Sequence, residues 1–228
     1  LLVDLDSQGN STSGLGINKR EVERSTYDLL TGEERASQVV LKTEFKNVDL
    51  IPSSIDLAAA EIELVELEER TLRLRQALAP IRDDYDYILI DCPPSMGLVT
   101  LNAFSACDSV LVPIQCEYYA LEGLSQLMAT IKQVKRLYNP VVDLEGILLT
   151  MYDGRLKLTE QVEAEVREHF PDKVYKTVIP RNVRLSESPS FGMPAIYFDR
   201  NSRGAKAYLE LCKEFLKKKA AKSRRCRP

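Results

Sequence analysis

A chain of 228 residues, of which 44% are hydrophobic and 29% charged, is long enough to bury one well-packed domain and has an ordinary globular composition. It contains no uninterrupted apolar run of the length that a membrane helix needs. Its first residues are not typical of a signal peptide, because two acids stand where an apolar core belongs. Five cysteines without a CxxC spacing favour a reducing cytoplasm over a disulfide framework or a zinc site.

Short apolar runs alternate with longer helical patterns along the chain. We predict strands at Leu1–Leu5, Val48–Pro52, Tyr87–Asp91, Ser109–Pro113, Leu144–Thr150 and Val174–Pro180. We predict helices at about Asp56–Leu78 (capped by Asp56), Ala120–Tyr138, Leu158–Phe170 and Gly204–Lys219. The apolar triplets 88–90 and 110–112 lack polar alternation, which is typical of strands buried on both faces of a parallel sheet. The sequence therefore predicts an α/β fold, a doubly wound and mostly parallel sheet with helices on both faces.

Two of the predicted strands end in aspartate. Asp4 and Asp6 end the first apolar run, and Asp91 ends the third. Ligands of α/β sheets bind beyond the carboxyl ends of the strands, where carboxylates suit Mg²⁺ and can position a hydrolytic water. A single aspartate at a strand end is also typical of a simple turn. The pair of strand ends is the stronger indication, and it predicts a nucleotide site with magnesium.

Five segments in order extend this interpretation: Asp4–Gly16, Asp91–Ala103, Pro113–Gly123, Thr150–Arg155 and Ile179–Pro189. Each resembles a motif of the ParA/Soj-type partition ATPases, the deviant Walker A branch of the P-loop NTPases. The resemblance covers nearly the whole chain, from Leu1 to about Phe215. One small departure is Ser7, where the family usually has proline, and serine is also a good turn residue.

The resemblance implies ATP and Mg²⁺ as cofactors. It implies that Asp6 orients or deprotonates the attacking water, that Asp4 supports the hydration shell of the Mg²⁺, and that Asp91 holds the metal through water. Groups around the adenine are implied at Thr150, Pro180 and Asn182.

The resemblance also implies partners. An ATP-dependent homodimer would bind DNA without sequence preference, and a ParB-type centromere-binding protein would stimulate hydrolysis. Arg155 and Arg184 are the implied DNA contacts, and surface ion pairing is the competing interpretation of both. The family implies a bacterial, cytoplasmic, nucleoid-associated protein without a membrane partner.

One family motif is missing from the printed sequence. No Gly-x-x-x-x-Gly-Lys-Ser/Thr loop occurs in the 228 residues, although such a loop cradles the phosphates after the first strand of family members. We therefore expect that this chain lacks the first strand and the P-loop and hydrolyses ATP negligibly as printed. A natural pseudo-ATPase is the alternative. We expect Leu1–Leu5 and Tyr87–Asp91 to flank the missing central strand.

The predicted ATPase domain covers residues 1–216, and a basic tail covers residues 217–228. Residues 213–228 hold eight basic residues and one acid, a net charge of +7 in a chain of net charge −3, which leaves −10 on the rest. We interpret the tail as disordered, with a nucleic-acid or acidic-surface contact as the alternative. The Glu-rich run from Glu61 to Arg70 is interpreted as a solvated helix face.

Two other functional classes stay open. A MinD-like, membrane-associated positioning ATPase would end in an amphipathic helix, but the apolar face around Phe215 and Leu216 is thin beside three consecutive lysines. A non-catalytic fragment that only binds partners is the other class. Co-sedimentation with liposomes or with DNA distinguishes the first alternative from a partition ATPase.

Overall fold

The computed structural model describes residues 1–225, with the backbone alone for residues 222–225. Its strands are β1 (Leu2–Asp4), β2 (Leu41–Lys42), β3 (Asp49–Ile51), β4 (Leu89–Asp91), β5 (Ser109–Gln115) and β6 (Asp143–Thr150). Its helices are α1 (Asn10–Gly14), α2 (Thr26–Thr31), α3 (Ala36–Val39), α4 (Leu57–Glu63), α5 (Arg73–Leu78), α6 (Leu98–Ala106), α7 (Ala120–Leu137), α8 (Lys157–His169), α9 (Val183–Glu187), α10 (Ala195–Phe198) and α11 (Arg203–Arg225).

The chain separates into two compact units by its internal contacts. The first unit comprises residues 1–109, 131–142 and 189–194, and the second comprises residues 110–130, 143–188 and the chain from Ala195 onward. The assignment of residues 1–216 to one ATPase domain stays a prediction.

The first unit contains a sheet in the order β2-β3-β1-β4. β1 is parallel to both β3 and β4, whereas β2 is antiparallel to β3, so the predicted α/β fold with a mostly parallel sheet is confirmed. The expectation that β1 and β4 flank a missing strand is wrong, because they pair directly. Leu2 lies opposite Leu89, Asp4 lies opposite Asp91, and the Leu5 N–H donates to the Asp91 carbonyl at 2.8 Å.

The burial predicted for the triplet 88–90 is wrong for one face of β4. Ile88 and Ile90 pack against the core of the first unit, but the side chain of Leu89 is 60% exposed. On that face of the sheet, a cluster formed around Phe45 packs against Leu2 and does not include Leu89. β4 is also an edge strand of the sheet, so within residues 1–225 no further strand of that sheet lies on the other side of β4.

The helix predicted over Asp56–Leu78 is interrupted. The structure has α4, a 3₁₀ turn at Leu64–Glu66 and, after a break, α5. Glu69 adopts a left-handed backbone with φ 51°, and Glu66 has a like charge three residues away on either side, at Glu63 and Glu69, which weakens a continuous helix. Asp56 precedes α4, as predicted, but its side chain makes no capping hydrogen bond.

In the second unit, β5 and β6 form a two-stranded sheet. The segment predicted as a strand at Val174–Pro180 is not a strand in the structure: it forms two isolated parallel bridges, Val174 with Ile147 of β6 and Pro180 with Tyr152 just beyond β6. The Ile179 N–H also donates to the Leu149 carbonyl of β6 at 2.8 Å. Between these bridges, the backbone N–H groups of Lys176 and Thr177 donate to the Glu214 carboxylate of α11, at 2.9 and 3.0 Å. These two N–H groups are bound to the Glu214 side chain and are therefore not available for pairing with a neighbouring strand.

The tail predicted to be disordered is helical over residues 217–225, and residues 226–228 lie outside the described part of the chain. The ammonium group of Lys218 lies 3.8 Å from the centre of the Tyr175 ring, and the Lys219 Nζ donates to the Glu145 carboxylate at 2.8 Å. These contacts hold the end of α11 against its own unit. Within residues 1–225 no helix has the length and apolarity needed to cross a bilayer.

We expect the Lys219 contact to stabilise the protein. Lys219→Ala removes an ammonium group that lies 2.8 Å from the Glu145 carboxylate, and the side chain of Glu145 is only 2% exposed. Since Lys219 itself is 30% exposed, we expect the free energy of unfolding to fall by about 2 kcal/mol rather than by the larger cost of a fully buried pair.

The matched control is Lys213→Ala, which removes an exposed ion pair to Glu210 and should change the free energy by less than about 0.5 kcal/mol. Urea unfolding followed by circular dichroism measures both variants. Equal effects of the two substitutions would contradict a stabilising role for the Lys219 contact.

Candidate functional site

The carboxyl ends of β1 and β4 bring the predicted acidic residues together. Asp4 and Asp91 are direct neighbours in the parallel register, and Asp6 lies two residues beyond the end of β1. The expectation that these three residues lie at one edge of the sheet is confirmed.

Asp4 is fully buried and works as an acceptor for the loop that follows it. Its Oδ1 accepts the Asp6 N–H at 3.2 Å, and its Oδ2 accepts both the N–H and the hydroxyl of Thr12, each at 2.7 Å. The Thr12 hydroxyl oxygen in turn accepts the Ser53 N–H at 2.9 Å. Burial raises the pKa of the Asp4 carboxyl, the bonds from Thr12 oppose this shift, and nearby Asp91 adds to it. Asp4 thus ties together β1, α1 and the end of β3.

A tight turn presents Asp6 next to this buried network. Its Oδ1 accepts the Gln8 N–H at 2.9 Å, and its carbonyl accepts the Gly9 N–H at 2.8 Å. Gly9 has φ 58°, which favours glycine, and an added Cβ would overlap the side chain of Lys19. The Lys19 ammonium donates to the Gln8 carbonyl at 2.6 Å. The turn therefore has a defined shape, and it leaves the Asp6 side chain half-buried.

Asp91 is exposed and is joined to the same segment by one short hydrogen bond. The Ser11 hydroxyl, in the first turn of α1, donates to the Asp91 Oδ2 at 2.6 Å. The two strand ends are therefore linked twice, through the backbone pairing of β1 with β4 and through this side-chain contact.

The residues predicted to surround the adenine all belong to the second unit. Thr150 ends β6, and its hydroxyl donates to the Ile114 carbonyl at 3.0 Å. Pro180 is bridged to Tyr152, and the Asn182 side-chain oxygen caps α9 by accepting the Arg184 N–H at 3.1 Å. Thr150 is the last residue of β6, Pro180 and Asn182 lie at or just beyond an isolated bridge, and the contact of all three with adenine stays a prediction.

The two arginines predicted to contact DNA are exposed and are engaged by acids of their own unit. Arg155 makes two parallel hydrogen bonds to Asp153, from Nε at 2.8 Å and from Nη2 at 2.6 Å. These bonds lower the pKa of the Asp153 carboxyl to about 2. Arg184 donates to Glu187 at 2.9 Å and lies 3.5 Å from an Asp199 oxygen. The ion pairing that competed with DNA binding is therefore present, and DNA binding itself stays a prediction.

The second unit also has an open apolar cavity of about 360 Å³ between the end of β5 and the start of α7. Its lining includes Pro113, Tyr119 and Leu127, and it includes none of the predicted site residues.

Comparison with known proteins identifies the family to which the chain belongs. Residues 1–144 match a family model described as an AAA domain. The sporulation initiation inhibitor protein Soj of Bacillus subtilis is 56% identical over 214 residues, which span 94% of this chain and 85% of that protein. The chromosome partitioning protein ParA of Myxococcus xanthus is 51% identical over 227 residues, 100% of this chain and 80% of that protein. The chain belongs to the ParA/Soj family of chromosome-partitioning ATPases.

A solved structure shares both sequence and fold with this ParA/Soj family member. It is the cobyrinic acid a,c-diamide synthase of Mycobacterium smegmatis with bound ATP analogue and magnesium. The two chains are 36% identical with a TM-score of 0.75, over 84% of this chain and 79% of that one.

Three residues of the candidate site in this chain do not stand out in its sequence. Thr12 and Ser11 lie inside the motif that starts at Asp4, but nothing in their spacing shows that one meets Asp4 and the other Asp91. Glu61 was assigned to a solvated helix face. The structure instead aims its carboxylate at the start of α6, where it accepts the Leu98 N–H at 2.7 Å and the Val99 N–H at 3.1 Å.

We expect Asp4 and Asp6 to differ sharply in their effect on stability. Asp4→Ala leaves buried donors of Thr12 and Asp6 without their acceptor, so the free energy of unfolding should fall by about 2 kcal/mol. Asp6→Ala removes one partly exposed turn contact and should cost less than about 0.5 kcal/mol. Urea unfolding at neutral pH measures both. An Asp6 variant as unstable as the Asp4 variant would contradict this division.

Proposed function

We propose that the protein is an ATP-dependent DNA-segregation ATPase. Two subunits enclose two ATP molecules, this dimer binds DNA without sequence preference, and a ParB-type centromere-binding protein stimulates hydrolysis. The observation that carries the proposal is the convergence of Asp6 and Asp91 at one edge of a parallel sheet. Membership of the partition ATPase family supports it.

The donor set at the strand ends fits a magnesium ion bound to ATP. Within residues 1–225 no group of three or more His, Cys, Asp or Glu side chains is arranged as a metal site. Magnesium bound to a nucleotide retains several waters and uses one or two carboxylates, and the exposed Asp91 can supply one of these through such a water. The ATP analogue and magnesium in the M. smegmatis neighbour support the same cofactors here.

The residues at this edge of the sheet have different roles in ATP hydrolysis. The metal, when bound, neutralises charge that develops on the transferred phosphoryl group. Asp91 holds its hydration shell, and Ser11 fixes the orientation of that carboxylate. Asp6 accepts a hydrogen bond from the attacking water and orients it, because the Gln8 and Gly9 turn fixes its position. Asp4 supports the metal's hydration shell indirectly, by holding this turn from beneath.

We propose adenine contacts at Thr150, Pro180 and Asn182. The Asn182 side-chain oxygen is used by the α9 cap, so a contact with the base would draw on the amide NH₂ group. This assignment rests on the family resemblance and on the position of Thr150 at the end of β6.

The role of Asp6 can be tested in the full-length gene product, including whatever the gene places before Leu1. Asp6→Ala should lower kcat for ATP hydrolysis by about 100-fold or more, because it removes the group that positions the water. ATP binding and ATP-dependent dimerisation should persist, since the substitution removes no group that binds phosphate. Phosphate release measures turnover, and size exclusion with ATP measures dimerisation.

The control is Glu66→Ala, an exposed position outside the site that should leave both readouts unchanged. Normal hydrolysis by the Asp6 variant would contradict the assigned role. A wild-type protein that never hydrolyses ATP, alone or with DNA and partner, would contradict the proposed function.

The proposed DNA surface uses Arg155 and Arg184, which dimerisation would combine into one strip. Each guanidinium has five N–H donors, so the acids that engage it leave donors for phosphate oxygens. The same acids hold the side chains in place, and they also weaken the local positive field.

The C-terminal helix is a poorer candidate for either DNA or membrane binding. Leu211 and Phe215 of α11 pack against the buried cluster that contains Tyr175, so part of the apolar face is already covered. Lys218 and Lys219 contact Tyr175 and Glu145 of the same unit. These intramolecular contacts compete with a lipid or DNA partner.

In the ATP-bound full-length protein, we expect Arg155→Glu or Arg184→Glu to weaken binding to random duplex DNA strongly, while ATP binding is unchanged. Phosphate contacts release counterions, so the slope of log affinity against log salt should decrease by about one for each phosphate that the variant no longer neutralises. Fluorescence anisotropy over a salt series measures this slope.

Two matched variants sharpen the test. Asp153→Asn removes the negative charge beside Arg155 and should strengthen DNA binding. Lys217→Glu, which reverses the charge of an exposed residue of α11, should have a smaller effect than either arginine variant. Abolished binding in Lys217→Glu with wild-type binding in both arginine variants would place the DNA contact on α11. Co-sedimentation with liposomes, run in parallel, should detect no binding.

A further inference from the structure

The N-terminus of α6 is capped by a side chain from another helix. Gly97 precedes α6 and has no side chain with which to cap it. The Glu61 carboxylate of α4 takes this place, because it accepts the N–H groups of Leu98 and Val99 at 2.7 and 3.1 Å. A carboxylate that accepts two of the first free donors of a helix makes charge-assisted bonds and also interacts favourably with the helix dipole.

The capped end of α6 is also the end of the loop that follows Asp91. This loop, residues 92–97, is here called the β4–α6 loop. Its middle is exposed, with the Met96 side chain 48% accessible. On its α6 side, the Thr100 hydroxyl donates to the Ser95 carbonyl at 2.6 Å, and Glu61 holds the first two amides of the helix. The position of the loop after Asp91 therefore depends strongly on α6 staying where Glu61 holds it.

The absence of a side chain at Gly97 is required by this contact. A Cβ added to Gly97 would overlap the Glu61 carboxylate. The backbone of Gly97 is extended, with φ −97° and ψ −169°, which any residue can adopt. Alanine at this position would therefore be tolerated by the backbone, and it would push the carboxylate away from the amides.

α4 is also connected to the other strand end of the site. The segment that leads into α4 starts at Ser53, whose N–H donates to the Thr12 hydroxyl, and Thr12 donates to the buried Asp4. Glu61 therefore extends a chain of contacts from the β1 side of the site to the loop on the β4 side. Both ends of this chain belong to the first unit.

We propose that Glu61 is a positioning residue, which holds the β4–α6 loop so that Asp91 keeps the geometry needed for ATP hydrolysis. The proposal rests on the proposed function. The contacts of Glu61 are with backbone amides of α6, so it acts through α6 and the loop. Small displacements of positioned groups can cost up to about 100-fold in rate, so removal of its carboxylate should lower kcat and leave KM for ATP nearly unchanged.

The capping contact is tested first, by hydrogen exchange of the Leu98 and Val99 amides in the full-length protein. Glu61→Ala should speed their exchange at least about tenfold, because the carboxylate no longer protects them. Glu61→Gln retains one acceptor oxygen and should give an intermediate rate. Glu66→Ala, an exposed acid in the turn after α4, should exchange like wild type. Unchanged exchange in Glu61→Ala would overturn the proposal.

Kinetics then test positioning. We expect kcat to fall about 10- to 100-fold in Glu61→Ala, with KM for ATP within about twofold of wild type and partial recovery of kcat in Glu61→Gln. Gly97→Ala should reproduce the fall in kcat, and the double variant should be no worse than either single variant, because both remove the same contact.

The outcomes separate this proposal from the function on which it rests. A wild-type protein that hydrolyses ATP, with an unchanged kcat in Glu61→Ala, overturns the positioning role alone. A KM that rises with no change in kcat overturns it as well, since that result indicates uniform binding. A wild-type protein without ATP turnover overturns the proposed function and this proposal with it.

Discussion

The buried carboxylate of Asp4 is the interaction on which the site depends. It is fully buried at the end of β1, and three donors of the following segment converge on its two oxygens. A carboxylate enclosed in this way is unfavourable unless it is fully hydrogen-bonded, so the loop and α1 must adopt the arrangement that supplies the donors. The same constraint fixes Thr12, and through it Ser53 at the end of β3.

Because β1 and β4 are paired in parallel, the constraint at Asp4 also affects the neighbouring end of β4. Because Asp4 and Asp91 are in register, whatever orders the loop after Asp4 also defines the surroundings of Asp91. Ser11 completes the link by donating to Asp91 from the first turn of α1. One buried acid therefore orders the surroundings of two more accessible ones, Asp6 and Asp91.

Charge is used differently in the second unit. Several of its arginines and lysines contact acids or an aromatic ring of the same unit, as Arg155 does with Asp153 and Lys219 with Glu145. A count of basic residues along the sequence therefore overstates the positive field that a partner would meet. The exposed guanidinium groups can still exchange or share their partners, because surface ion pairs contribute little to stability. When a lysine leaves a nearly buried carboxylate, the loss of protein stability is much larger.

The sequence by itself determined the fold class, the order of most strands and helices, and the acids at the ends of β1 and β4. Those features are local, since apolar periodicity and an aspartate after an apolar run are legible without knowing what packs nearby. Only the tertiary structure decided that β1 and β4 are direct neighbours, that Asp4 is enclosed while Asp91 is exposed, and that Glu214 interrupts the strand predicted at Val174–Pro180. Each of these depends on contacts between residues far apart in the chain, which no local pattern records. Glu61 shows the difference most clearly, because an acid within a charged run looks solvated until another helix places two free amides in front of it.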